Sequence, residues 1–159
     1  MSTPYAETLH GEMLMRSAPG VRHESILARL HRCVQASVGN LNSAVLLPPR
    51  TQIQLGPDIL LCPDMSLVTT ATGKLWLAVE IVNSEDHRPD TVFKKQIYEE
   101  VRLPRLWMVD PRYDNVEVYH GTQFGLTLKG ILAGRETLTE SLLPEFEIGI
   151  SDLFQNKGH

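Results

Sequence analysis

A carboxylate inside an apolar strand is the feature that most restricts this chain. Leu75-Trp76-Leu77-Ala78-Val79-Glu80-Ile81-Val82 is apolar at every position but Glu80, the composition of a strand covered on both sheet faces. Glutamate is almost never fully buried without a partner. Strand alternation puts Trp76, Ala78, Glu80 and Val82 on one face. Glu80 therefore points into a helix-covered layer or a cleft, where it needs a cation, a lysine or a proton.

The segment before it, Asp64 to Val68, is also extended in character, and a loop with Thr69, Thr70 and Gly73 joins the two. Antiparallel pairing centred near Thr72 sets Asp64 opposite Glu80. Directly opposed Cβ atoms lie about 4.5–5.5 Å apart, too close for two ionised carboxylates without a cation between them. A divalent metal is the natural occupant. A slip of one residue sends the two carboxylates to opposite faces, which leaves Asp64 as a turn residue after Pro63 and Glu80 in a structural ion pair.

Around this pair the chain alternates helix and strand. A short strand is expected at Gly11 to Met15, then a helix from near His23 to Val38 with Ile26, Leu27, Leu30, Val34 and Val38 on one stripe. Extended pieces follow at Ala44 to Leu47 and Thr51 to Leu55, each stopped by proline or glycine. A second helix is predicted over Thr91 to Arg102 with Phe93, Ile97 and Val101 as its core stripe, ended by Pro104. Leu106 to Val109 and Val116 to Tyr119 read as strands, Gln123 to Ile150 as further β pieces, and Ser151 to Phe154 as a helical turn. The order implies an α/β domain with a mixed sheet. No repeat or linker divides the 159 residues, so one domain over 1–159 is expected.

Charge and cysteine content narrow the partners. With 15 Lys+Arg against 19 Asp+Glu the net charge is -4, which argues against coating nucleic acid or membrane through bulk charge. Contact with nucleic acid then needs a local patch, for which Arg16, Arg22, Arg29, Arg32, Arg88, Lys94, Lys95, Arg102 and Arg105 are available. Cys33 and Cys62 have no metal or disulfide spacing, and no apolar run approaches the ~18 residues of a membrane span. A cytoplasmic protein without membrane contact is the expectation.

Lys94, beside the predicted core stripe of the second helix, is the candidate third member of the site. Tyr98 stands one turn further on the same boundary. A lysine near two carboxylates can orient a water or steady charge on an attacked phosphate; on helix position alone it reads equally as a snorkelling lysine.

The string Pro63-Asp64, Val79-Glu80-Ile81-Val82, Asp90-x-x-x-Lys94-x-x-x-Tyr98 and Pro104-x-x-Trp107-x-Val109-Asp110-Pro111 resembles the Uma-type restriction endonuclease family, formerly a domain of unknown function, in the PD-(D/E)XK nuclease superfamily. The resemblance runs from about Glu12 to Phe154. It implies a restriction-endonuclease-like mixed β-sheet core flanked by helices, with additional strands. It also implies that Asp64 and Glu80 are metal carboxylates, with Lys94 moved from the usual strand position, here Val82, onto the following helix. His23 matches a histidine common in the family, and Glu12 and Glu24 are further acidic candidates. Arg102-Leu103-Pro104-Arg105-Leu106-Trp107 departs from the family's usual Gly-Val-Pro-Glu-Tyr-Trp.

The expectation is thus a Mg²⁺ (or Mn²⁺) dependent endonuclease acting on nucleic acid, DNA in the first place. Asp64, Glu80 and the Ile81 carbonyl would hold the metal, Lys94 would be catalytic, and Glu12, His23 and Tyr98 would be accessory. A homodimer is expected from the family. The alternatives are a nuclease fold that no longer cuts and serves as an interaction module, and a purely structural carboxylate–lysine network.

Overall fold

The structure is a computed structural model and describes residues 3–83 and 86–155. Two strands, β1 (Tyr5–Leu9) and β2 (Glu12–Arg16), open the chain as a hairpin. Its two-residue turn, His10-Gly11, has positive φ at both positions, 51° and 83°, the backbone twist that matches paired strands. Helix α1 (Val21–Val38) buries Ile26, Leu27, Leu30, Val34 and Val38, the stripe expected from its sequence. Strands β3 (Ala44–Leu46), β4 (Ile53–Gly56), β5 (Ile59–Leu61), β6 (Met65–Thr69) and β7 (Leu75–Ile81) follow. A π-helical turn over Pro89–Lys94 leads into α2 (Lys95–Glu100), then β8 (Arg105–Asp110), β9 (Asn115–Thr122), β10 (Gly125–Ala133), β11 (Thr137–Glu140), β12 (Leu143–Gly149) and α3 (Ile150–Leu153).

Six strands form a mixed sheet in the order β10-β9-β8-β7-β6-β3; four form a second sheet, β2-β1-β5-β4; β11 and β12 pair with each other. In the large sheet β7 and β8 are parallel, so the chain between them must cross over one face. The π turn and α2 make that crossover.

The two faces of the large sheet bury different things. On one, α1, β12 and α3 contribute to an apolar cluster that includes Leu30, Leu67, Leu77, Val79, Trp107 and Phe146, with Trp107 stacked on Phe146. On the other, Ile59, Leu61, Ala78, Ile97, Tyr98 and Leu106 join α2 and the small sheet to the strands. Trp76 packs with Leu77, Val79 and Ile81 and not with Ala78, contrary to simple alternation. The register shift between Leu67 and Val68, opposite this end of β7, accounts for it.

The second helix also departs from expectation. Phe93 is 44% exposed, and the residues turned inward are Pro89, Asp90 and Lys94 in the π turn and Ile97 and Tyr98 in α2. The apolar stripe holds at Ile97 and fails at Phe93 because this face meets charges: Asp90 and Lys94 turn inward from the π turn, and Val92 and Phe93 are left exposed. No helix among the described residues is long and apolar enough to cross a membrane.

Candidate active site

β6 and β7 pair through Met65↔Val79, Ser66↔Ala78 and Leu67↔Leu77, and this register, carried one residue outward, sets Asp64 against Glu80. The Ile81 amide donates to Asp64 Oδ2 at 2.7 Å, locking the end of one strand to the carboxylate of the other. Arg50 Nε donates to Asp64 Oδ1 at 3.0 Å, and the Arg50 guanidinium also pairs with Glu24.

Glu80, 1% exposed, points to the α2 side. Tyr98 Oη donates to its Oε2 at 2.5 Å, and Lys94 Nζ lies 2.6 Å from the same oxygen. Lys94, itself 0% exposed, also lies 2.6 Å from Glu7 Oε2. Both contacts are buried ion pairs.

The cluster closes into a ring. Glu7 Oε2 accepts from the Cys62 amide at 2.7 Å, and Glu7 Oε1 from Arg16 Nη1 at 2.7 Å. Arg16 Nη2 then donates to both oxygens of Asp90 at 2.9 Å, and the Asn83 amide donates to Asp90 Oδ2 at 3.1 Å. Asp90 and Lys94 share the π turn, which completes the circuit. Three carboxylates and two cations are buried together here.

The electrostatics follow from that count. Burial pushes the Glu80 carboxyl up to about 8, against the opposing pull of Lys94 and with the help of Asp90, Glu7 and Asp64. Burial alone would lower Lys94, but Glu80, Glu7 and Asp90 outweigh it and hold the ammonium protonated. Burial would raise Glu7, yet Lys94, the Cys62 amide and Arg16 bring it below the usual carboxylate range. Burial and Glu80 raise the Tyr98 phenol, so it stays a donor.

His23 Nε2 lies 2.9 Å from the Ile81 carbonyl and 3.6 Å from Asp64 Oδ2. A carbonyl only accepts, so the partner assigns the imidazole proton to Nε2, leaving Nδ1 to face Arg50 Nη2 at 3.4 Å. Among the described residues no three His, Cys, Asp or Glu side chains group as a ready cage for a metal.

A model of the Uma2 family, described as "Putative restriction endonuclease", matches residues 2–151. The chain belongs to the Uma2 family. Its structure is similar to that of a "putative nuclease belonging to DUF820" from Anabaena variabilis, with a TM-score of 0.79 at 17% identity, over 95% of this chain and 90% of the other. No curated protein matches the sequence.

Within this Uma2 chain, Asp64, Glu80, Ile81, Lys94, Tyr98 and His23 come together. Glu12 does not: it is exposed at the start of β2, beside His10, Met13 and Phe93 in a surface groove. Its strand neighbour Glu7 takes the buried place instead. Glu7 is not among the residues expected from sequence, because Tyr5–Leu9 carries little strand pattern of its own; its signal is the His10-Gly11 turn ahead of Glu12–Arg16. Arg16 and Lys94, counted among the residues available for a basic patch, are both consumed by buried carboxylates, which for Lys94 is the place beside the carboxylates also expected of it. Arg22, Arg29 and Arg105 are tied to Asp114, the Leu153 carbonyl and Glu140.

Proposed function

We propose that this Uma2 protein is a Mg²⁺ (or Mn²⁺) dependent endonuclease that hydrolyses phosphodiester bonds in nucleic acid, DNA foremost. The observation that carries this is the meeting of Asp64 and Glu80 on paired strands with the Lys94 ammonium 2.6 Å from Glu80. The donors fit a hard cation. Asp64 and Glu80 offer carboxylate oxygens, and β7 offers the Ile81 carbonyl. Magnesium is commonly held by one or two carboxylates with waters and substrate phosphate filling the rest, so a cage of three side chains is not required. Lys94 and Tyr98 both engage Oε2 of Glu80, so Oε1 is the oxygen that would be offered to the ion.

When bound, the cation supplies positive charge that polarises a phosphodiester and acidifies water. Tyr98 orients Glu80 by its hydrogen bond, and the Ile81 amide does the same for Asp64. Lys94, protonated, acts as a fixed charge that opposes the negative charge developing on the attacked phosphate, and not as a base. His23, as a donor to the Ile81 carbonyl, sets the position of that oxygen. A cleft of ≈ 330 Å³ lined by Tyr5, Pro19, Arg22, His23 and Val82 has His23 in its wall and is the side from which a phosphate would approach. Two-strand cutting calls for two copies of a one-site chain, so a homodimer is part of the reading.

The test is cleavage of supercoiled plasmid and single-stranded oligonucleotides with Mg²⁺ and Mn²⁺ by wild type and Glu80→Ala. Metal-dependent cutting that Glu80→Ala abolishes is expected. The second reading, a nuclease fold retained as an interaction module, draws on the pairing of Asp64 with Arg50 and of Glu80 with Lys94, which satisfies both carboxylates without metal. Under it, Mg²⁺ leaves the melting temperature of wild type and of Asp64→Ala unchanged; under the first, it raises that of wild type alone.

A further inference from the structure

Lys94 is shared between two carboxylates, and only one of them, Glu80, stands next to Asp64. Glu7 lies on β1, in the other sheet, and approaches the ammonium at the same 2.6 Å distance as Glu80 does. It is fully committed: Oε2 also takes the Cys62 amide and Oε1 takes Arg16. Arg16 in turn grips Asp90 with one nitrogen on both oxygens. Glu7 therefore cannot swing away, and the π turn that carries Lys94 is pinned at its other end by the same arginine.

We infer that Glu7 is a positioning residue of this site: by sharing the Lys94 ammonium it keeps that cation from being Glu80's alone and leaves the cluster negative toward a divalent cation, and it fixes where the ammonium sits. The inference rests on the metal-site reading above. Its physical basis is charge counting in a dry pocket. With Glu7 in place, two cations, Lys94 and Arg16, face three carboxylates, Glu7, Glu80 and Asp90, and the cluster is negative toward its surroundings. With Glu7 neutral, Arg16 keeps Asp90 and Lys94 has Glu80 alone, so the charges cancel and Lys94 competes with any metal for Glu80, the more strongly because no water screens the contact. Groups that hold a metal ligand directly change metal affinity about 10- to 100-fold when removed, and Glu7 stands one step behind such a group, Lys94, so the lower end of that range is expected. Glu7 does not touch the reacting atoms; it acts through Lys94.

Mn²⁺ titration calorimetry on the full chain tests this with wild type, Glu7→Gln, Lys94→Met and the double variant, each checked for folding by circular dichroism. Glu7→Gln is expected to weaken Mn²⁺ binding about tenfold. Lys94→Met, which removes a repelling cation, is expected to tighten it. In the double variant one buried charge of each sign is gone, so the fold is spared an unpaired ion, and affinity returns toward that of wild type. Unchanged affinity in Glu7→Gln, or the same weakening from Glu7→Gln with Lys94 absent, overturns the inference, because a merely structural glutamate would not act through the lysine. If Glu7→Gln does not fold, the double variant decides against Lys94→Met in the same way. Plasmid cutting by wild type separates the two claims. Glu7-dependent Mn²⁺ binding without cutting overturns the nuclease reading and supports this inference. Cutting with Glu7-independent binding overturns this inference alone, and a wild type that binds no Mn²⁺ overturns both.

Discussion

The two faces of the six-stranded sheet solve opposite problems. On the α1 face, Leu30, Leu67, Leu77 and Val79 reach 0% exposure among apolar neighbours, and the gain is hydrophobic and nearly indifferent to pH. On the α2 face, Glu7, Arg16, Glu80, Asp90 and Lys94 are buried within a few ångströms of one another. Desolvating such ions costs what their pairing returns. One face holds the fold together; the other stores a charge arrangement that a stability argument alone would not select.

The largest effect expected is from Lys94→Ala, which strands two carboxylates and should cost about 3–5 kcal/mol at pH 8 by denaturant unfolding in EDTA. The loss should shrink at pH 5, where Glu80 can take up a proton. A loss equal at both pH values would erase the contrast between the faces. Leu30→Ala on the opposite face should cost about 2–5 kcal/mol, unchanged between pH 5 and 8, with Mn²⁺ affinity unaltered.

A subtler measure is Glu80→Gln. The Glu80 carboxyl has a folded value of about 8 against 4.5 ordinarily, so its stabilising contribution is complete below about 4.5 and is lost as pH rises through about 8. The Gln variant lacks this dependence. Its melting temperature relative to metal-free wild type should therefore climb across that window, each kcal/mol showing as about 2–4 °C; a flat difference would argue that Glu80 is ionised throughout. Smallest is Arg22→Ala, whose exposed pairing with Asp114 should change stability by only about 0.2–1 kcal/mol.

Much of this was legible in the sequence where local pattern and burial agree. The α1 stripe at Ile26, Leu27, Leu30, Val34 and Val38 is a property of helix periodicity, and the apolar run around Glu80 forces a buried strand with a buried charge. Asp64 could be set against Glu80 because a short connection between two strands leaves few registers. Lys94 and Tyr98 are four apart and readable as one helix face. Glu7 and Arg16 were out of reach for a different reason. They belong to a hairpin of another sheet, touching the site across 74 residues in the Arg16–Asp90 pair, and nothing local marks a Glu as buried when its partners are that remote. The second helix misled because its periodicity is not that of an α-helix.

That irregular turn sets the angular setting of the site. An α-helix advances about 100° per residue and a π turn about 80°, so winding Pro89–Lys94 as a regular α-helix would turn Asp90 by roughly 70° relative to Lys94 and α2. Tyr98 and Lys94 would keep facing Glu80, while Asp90 would turn off Arg16 and the anchor at the other end would open. The extra residue works like a spacer in a hinge: it lets one short crossover dock against two sheets whose docking points are out of phase with a regular helix.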